Sequence, residues 1–385
     1  MPWRVSEVVE ERARFAIEYE SGEWTMAELC RHYGIARKTG YKILSRWEVC
    51  GAEGLKDLSR RPHRHPNQTS EAIEAQILEA RRTHMRWGPR KLHAWLESKY
   101  PDRSWPAPST IGELLRRSGL TNRQRVRRRT PSSIQPLASA GSANDVWCMD
   151  FKGWFRTRDG TRIDPLTMTD AYSRYLLRCQ AVAKTDTISV QAICEAAFRE
   201  FGLPRAIRSD NGPPFASCTV AGLSRLALYW MKLGIVPERI KPGHPEQNGS
   251  HERMHRTLKQ ETATPPEANP RRQQQAFHRF RQEFNEDRPH EALGMKTPAS
   301  TYTPSLRPHP DRIPKPEYDS NLLVRSVYPH GQFFWKQNYI FISKVLAGEH
   351  IGLEQIDDRF WHIRFATFNI ARFDSQKLTV APLPS

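Results

Sequence analysis

The period of the apolar residues changes along this chain, and each change predicts a different architecture. Over residues 7–19, Val8, Val9, Ala13, Ala16 and Ile17 recur near helical spacing, which predicts an amphipathic helix. Thr25 stands where a cap opens a short helix over 26–33, Gly34 supplies a tight turn, and 37–47 reads as a second helix. Helix, glycine turn and basic helix form the helix-turn-helix pattern, whose second helix enters a major groove. An ordinary helical hairpin would share it. A break rich in Pro and His at 60–66 precedes three further predicted helices, over 72–84, 90–99 and 109–118. Ser109 is expected to cap the last, with Pro108 before it and Gly119 after its end.

From Asn144 the pattern becomes strand-like. Five strands are expected at 146–155, 161–169, 175–182, 205–209 and 235–240, with helices at 189–201, 219–233, 249–261 and 270–285. Three successive strands followed by alternating helix and strand predict an α/β domain with a mixed five-stranded sheet. Six prolines between 298 and 316 predict a stiff linker. Beyond it, aromatic and β-branched runs at 332–335, 339–342, 351–355, 361–365 and 368–373 predict a small C-terminal β-barrel of about 60 residues. The expected fold class is therefore multidomain: all-α helix-turn-helix modules, an α/β core and a small β-barrel. The expected boundaries are 1–60 and 61–122 for the two helical modules and 123–144 for a basic linker. The core is expected at 145–303, a Pro-rich linker at 304–320 and the barrel at 321–385.

Charge narrows the function. The 385 residues carry a formal net charge of +17, with 26 Lys+Arg against 16 Asp+Glu in residues 1–144. That imbalance points to a polyanionic partner, since clustered cations displace counterions from phosphates. Arg123, Arg125, Arg127, Arg128 and Arg129 crowd five guanidiniums into seven residues, suited to tracking a phosphate backbone. Arg37, Lys38, Thr39 and Lys42 lie near the start of the second helix and are candidate DNA contacts. The six cysteines form no CxxC pair, and no signal peptide is evident, so they read as reduced thiols in a cytosolic, nucleoid-associated protein. No run of about 18 apolar residues is present, so no membrane span is expected.

Against this basic background a few acids stand out. Asp150 ends the apolar run Val146-Trp147-Cys148-Met149, where an ionised group is costly unless paired or metal-bound. Asp210 sits where a short strand runs into Asn211-Gly212, although turn chemistry alone could place it there. Glu246 and Glu252 compete as the third acid. Glu246, between Pro245 and Asn248-Gly249, is expected on a loop. Glu252 is expected in the first turn of a helix capped by Ser250, heading a polar stripe of His255, Arg256 and Lys259 opposite Met254 and Leu258. It is the better choice, because it can hold metal while Arg256 and Lys259 touch DNA phosphates. Three carboxylates suit Mg²⁺, which takes oxygen ligands and keeps its waters, with Mn²⁺ as a substitute. Such a metal pair supports phosphodiester transfer. His251-Glu252-Arg253-Met254-His255 also spells the zinc-hydrolase pattern HExxH, but cations surround it and no third ligand is marked. Asp170 reads as a structural turn residue.

These segments resemble the DDE insertion-sequence transposases of the retroviral-integrase superfamily. The resemblance rests on Trp147-Cys148-Met149-Asp150, on Ser209-Asp210-Asn211-Gly212-Pro213-Pro214-Phe215, and on the stretch from Pro242 to Lys259. Phe284-Asn285-Glu286-Asp287-Arg288-Pro289-His290-Glu291-Ala292-Leu293 looks like that family's closing motif, with Thr297-Pro298-Ala299 after it. It implies a ribonuclease-H-like catalytic core and a metal-binding triad at Asp150, Asp210 and Glu252, with DNA contacts at Arg256 and Lys259. The activity implied is Mg²⁺-dependent cleavage at transposon ends and 3′-hydroxyl strand transfer into target DNA. Transposon-end duplex, target DNA and at least a second copy of the chain are the expected partners. No His-His-Cys-Cys module precedes the core, so end recognition should fall to the helical modules. The alternatives are a DNA-binding regulator with a silent core and, less favoured, a zinc peptidase.

Overall fold

The computed structural model describes residues 5–59, 68–121, 140–216, 222–240 and 249–383. The chain divides into two compact units, Met1–Ser70 and Glu71–Ser385.

The first unit is built from α1 (Val5–Glu20), α2 (Met26–His32) and α3 (Arg37–Cys50). Thr25 caps α2 reciprocally with Glu28: its hydroxyl accepts the Glu28 N–H, and the Glu28 carboxylate accepts the Thr25 N–H at 3.1 Å. Gly34 then takes a φ of 64°, which lets the chain reverse into α3. Phe15, Ala16, Leu29, Cys30 and Leu44 are buried together between the helices. Gly40 makes that packing possible. A Cβ there would lie 2.6 Å from the Cys30 sulfur and 2.8 Å from the Met26 sulfur. Gly40→Ala is therefore expected to destabilise this unit by about 1–3 kcal/mol. Chemical denaturation followed by Trp47 fluorescence checks it; an unchanged midpoint would contradict the close approach.

In the second unit α4 (Glu71–Thr83), α5 (Pro89–Lys99) and α6 (Pro108–Arg117) enclose Ile77, Trp87, Leu92, Leu96, Ile111 and Leu115. Ser109 does not cap α6. Pro108 occupies the first helical position and Ala107 the cap, so Ser109 lies inside the first turn.

The central sheet runs through β1 (Val146–Phe151), β2 (Phe155–Arg156), β3 (Arg162–Asp170), β4 (Leu176–Val182), β5 (Ala206–Ser209) and β6 (Val236–Arg239). β1 lies in the middle, antiparallel to β3 and parallel to β5; β4 pairs outside β3, and β6 runs parallel outside β5. The two-residue β2, folded back on β3, adds a sixth strand to the expected five. This is the mixed sheet expected of the α/β core.

Each face of the sheet carries its own helices. α7 (Thr187–Phe201, capped by Asp186) and α8 (Arg225–Lys232, capped by Ser224) cover Trp147, Met149, Leu166, Met168 and Ile207. α9 (Gly249–Thr262) and α10 (Pro270–Gln282) bring Met254, Leu258, Phe277 and Phe280 against Ile163, Leu176 and Cys179. A π-turn at Glu283–Asp287 follows α10. There the buried Asn285 amide brackets Leu176, accepting its N–H at 2.8 Å and donating to its carbonyl at 3.0 Å. The closing motif thus fastens the helical layer to the sheet.

The last region is antiparallel. β7 (Leu323–Ser326), β10 (His350–Gln355), β11 (Phe360–Phe365), β12 (Phe368–Asp374) and β13 (Thr379–Ala381) form one sheet, and β8 (Gln332–Trp335) pairs with β9 (Asn338–Phe341) as a hairpin. They share a core with Ala227, Leu228 and Met231 of α8. Among the described residues no helix is long and apolar enough to cross a membrane.

Candidate functional site

Strand alternation splits β1 between two environments. Trp147 and Met149 enter the core under α7 and α8, whereas Asp150 pairs across the ladder with Thr167, on the other face. On the far side β5 runs parallel to β1, with Val146 opposite Ala206 and Cys148 opposite Arg208. Continuing that register for two residues brings Asp210 beside Asp150, both at the carboxyl ends of adjacent parallel strands. Glu252 comes from the first turn of α9 and is exposed.

The Asp150 carboxyl senses both of the other acids. The Asp150 carboxyl is pushed up to about 7, by burial first, then by the Asp210 and Glu252 carboxylates; the Phe151 amide and the Lys152 ammonium oppose the shift. Burial also raises Asp210, against a hydrogen bond from the Gly212 N–H at 3.2 Å. The half-buried Asp150 carboxyl is therefore opposed by two other acids unless a cation is shared. Their oxygens suit a hard divalent ion.

Behind Asp150 lies a polar hub that the sequence did not disclose. The Thr167 Oγ1 is 2.7 Å from His251 Nε2, 2.6 Å from His255 Nε2 and 3.2 Å from the Asp150 carbonyl oxygen. The Thr169 Oγ1 meets His251 Nδ1 at 3.0 Å. A hydroxyl donates once, so at least one imidazole presents an N–H to Thr167. Burial keeps both rings neutral, pushing His251 down to about 3 and His255 lower still, with the His251 ring adding to the latter. His255 thus leaves the exposed stripe expected of it and joins Met254 and Leu258 on the buried face, while Arg256 and Lys259 stay exposed with Glu252. Thr167→Val is expected to cost about 1–3 kcal/mol, because it strands polar nitrogens in the interior. Urea unfolding of the full chain measures it; a loss below a few tenths would dismiss the hub.

The hub also bears on the zinc pattern. A third group does exist: donor atoms of Asp150, His251 and His255 all lie within 4.8 Å of one another. Yet His255 Nε2 and both His251 nitrogens are engaged by threonine hydroxyls, and Glu252 is exposed.

The other sequence candidates fall as follows. Arg37, Lys38, Thr39 and Lys42 are all exposed along the start of α3. Glu246 and the arginines 123, 125, 127, 128 and 129 lie outside the described residues. Ser250 lies inside α9, which begins at Gly249. Asp170 is structural: its carboxylate accepts from the Ser173 N–H, the Ser173 hydroxyl and the Asn144 N–H. Lys152, unremarked in the sequence, is half-buried beside Asp150; burial and the Lys259 ammonium hold it below the usual lysine range.

Integrase core domain families match residues 141–245 and 233–298, which between them hold all three acids. A homeodomain-like family matches 39–115 and a helix-turn-helix family 11–63. An uncharacterized 39.2 kDa protein of insertion element IS476 from Xanthomonas euvesicatoria is 28% identical over 281 residues, covering 71% of this chain and 77% of the relative. An uncharacterized 31.7 kDa protein of insertion element IS407 from Burkholderia multivorans is 27% identical over 259 residues, covering 66% and 90%. The Gag-Pol polyprotein of baboon endogenous virus is 36% identical over 95 residues, 25% of this chain and 5% of the polyprotein.

Proposed function

We propose that the chain, which carries integrase-core and helix-turn-helix domains, is a polynucleotidyl transferase of the DDE transposase and integrase superfamily that cuts the ends of a mobile DNA element and joins the freed 3′-hydroxyls to target DNA. The convergence of Asp150, Asp210 and Glu252 carries this reading, since each acid comes from a different element and Asp150 responds to both others. Mg²⁺, or Mn²⁺ in its place, fits the all-oxygen set, and when bound it neutralises charge developing at phosphorus. Asp150 and Asp210 would hold the ions from the strand ends, and Glu252 would complete the set from α9.

The remaining roles belong to positioning. Arg256 and Lys259 follow Glu252 along the exposed face of α9, and with Lys152 they would seat the DNA backbone beside the acids. Arg37, Lys38, Thr39 and Lys42 would read the element's ends from α3. The arginines between 123 and 129 would track phosphates between the recognition modules and the core. Two ends must be held at once, so the working form would contain at least two copies of the chain.

Strand transfer of a labelled duplex bearing the element's terminal sequence into supercoiled plasmid tests the reading. Joined product with Mg²⁺ or Mn²⁺, and none with chelator, is the expected result. A protein that binds the ends and never joins them would instead be a regulator with a silent core.

A further inference from the structure

A second concentration of charge, opposite in sign to the acid cluster, lies in the same unit. Lys91 on α5, Arg174 in the turn between β3 and β4, Arg253 on α9, and Arg288 and His290 beyond α10 line one cavity of about 330 Å³. The acid in its lining is Glu291, which is exposed. The Arg288 guanidinium is buried and held by the Glu261 carboxylate at 3.1 Å. Among the described residues, neither the Lys91 ammonium nor the Arg174 guanidinium has a hydrogen-bond or ion-pair partner, although both are half-buried. The His290 Nε2 is buried, likewise without a partner among them. Arg174 also holds a φ of 64°, the left-handed region that non-glycine residues seldom occupy.

The cations constrain one another. Lys91 is pushed down to about 8, by burial first and then by the Arg288 guanidinium, with Glu291 and Glu261 opposing. Burial lowers Arg174, and the nearby Arg253 guanidinium adds to it. Cations that lower one another's proton affinity repel, and an anion entering between them relieves that repulsion.

We infer that this cavity receives one phosphate group of the DNA backbone, gripped by Lys91, Arg174 and Arg253 between the second helical module and α9. The inference rests on the proposed function for the identity of the anion, because that reading seats the DNA backbone along α9, whose Arg253 lines the cavity. One phosphate held there would fix the register of the duplex relative to Glu252, the residue before Arg253. A carboxylate from a second copy of the chain would satisfy the same cations and is the competing occupant.

Anisotropy of a labelled short duplex, read from about 50 to 200 mM salt with the full chain, separates these outcomes. Lys91→Met and Arg174→Gln are each expected to flatten the log K against log salt slope, by at most about 0.9, the value of one whole phosphate contact. Arg271→Gln, exposed on α10, should leave the slope alone. Lys91→Met should also melt at or above the wild-type temperature, since it removes a crowded charge; a flattened slope therefore cannot be ascribed to unfolding. Wild-type slopes in both variants would overturn the inference. So would wild-type slopes with self-association lost in sedimentation, which would assign the cavity to a second copy. Strand-transfer activity is read separately: an inactive wild type that still shows the slope change sinks the transposase reading alone.

Discussion

Asp150→Asn is expected to lower strand transfer by more than about 10³-fold while making the metal-free protein more stable. Both effects have one origin. The Asp150 carboxyl sits beside Asp210 and Glu252 with its pKa raised from 3.8 to about 7, so ionising it in the folded chain is unfavourable without a cation. The unfolded chain ionises freely above the ordinary value. Between about pH 4 and 7 the folded state therefore holds a proton that the unfolded state has released, and the wild type loses stability relative to the variant as pH rises. The difference grows to as much as about 4 kcal/mol above pH 7. Thermal melting in chelator at pH 5 and pH 8 measures it. A variant that melts with or below the wild type at pH 8 would show that the three acids do not crowd.

Acid should unfold the catalytic core steeply, through the histidines. His251, His255 and His290 are all pushed far below the usual imidazole range, each mainly by burial. In the unfolded chain each takes up a proton near 6.5; in the folded chain none does until far lower pH. Stability from these groups is fully present above about pH 6.5 and is lost as pH falls below it. Asp150 works in the opposite direction, retaining one proton in the folded state. The net difference between about pH 6.5 and 5 is two protons, or about 3 kcal/mol of stability lost per pH unit. Urea midpoints at pH 7 and 5.5 check this, and the same titration on His255→Gln should be shallower by one proton. A flat profile would mean that the imidazoles are charged or exposed.

Much of the site was legible because charge interrupts pattern. Asp150 is visible as an acid ending an apolar run, Asp210 as the residue at which a strand meets Asn-Gly, and Glu252 as the acid of a helix's first turn. His255 was misplaced for a geometric reason. Positions 252, 255, 256 and 259 make one helical stripe, and 251, 254, 255 and 258 make the stripe one residue over, so His255 belongs to both. The second stripe is the one the sheet covers, because it holds Met254 and Leu258. Thr167 and Thr169 gave no signal. Threonine is an ordinary strand residue, and their partners lie more than 80 positions away.

The fold shows the same division. Thr25 capping α2 and the aromatic runs of the last region were local signals, and both elements formed. β7 and β13 were missed because Leu323–Ser326 and Thr379–Ala381 are short and become strands only by pairing with β10 and β12. The expected cap at Ser109 failed because Pro108 before it already supplies a favoured first helical residue.

The account's central claim is that Asp150, Asp210 and Glu252 act as one metal-holding site for phosphodiester transfer. Strand transfer with Mg²⁺, run side by side for wild type, Asp150→Asn, Asp210→Asn, Glu252→Gln and Glu246→Gln, tests it most directly. The account predicts joined product from wild type and Glu246→Gln, and none from the other three. Wild-type yield from Glu252→Gln, with product lost in Glu246→Gln, would contradict it.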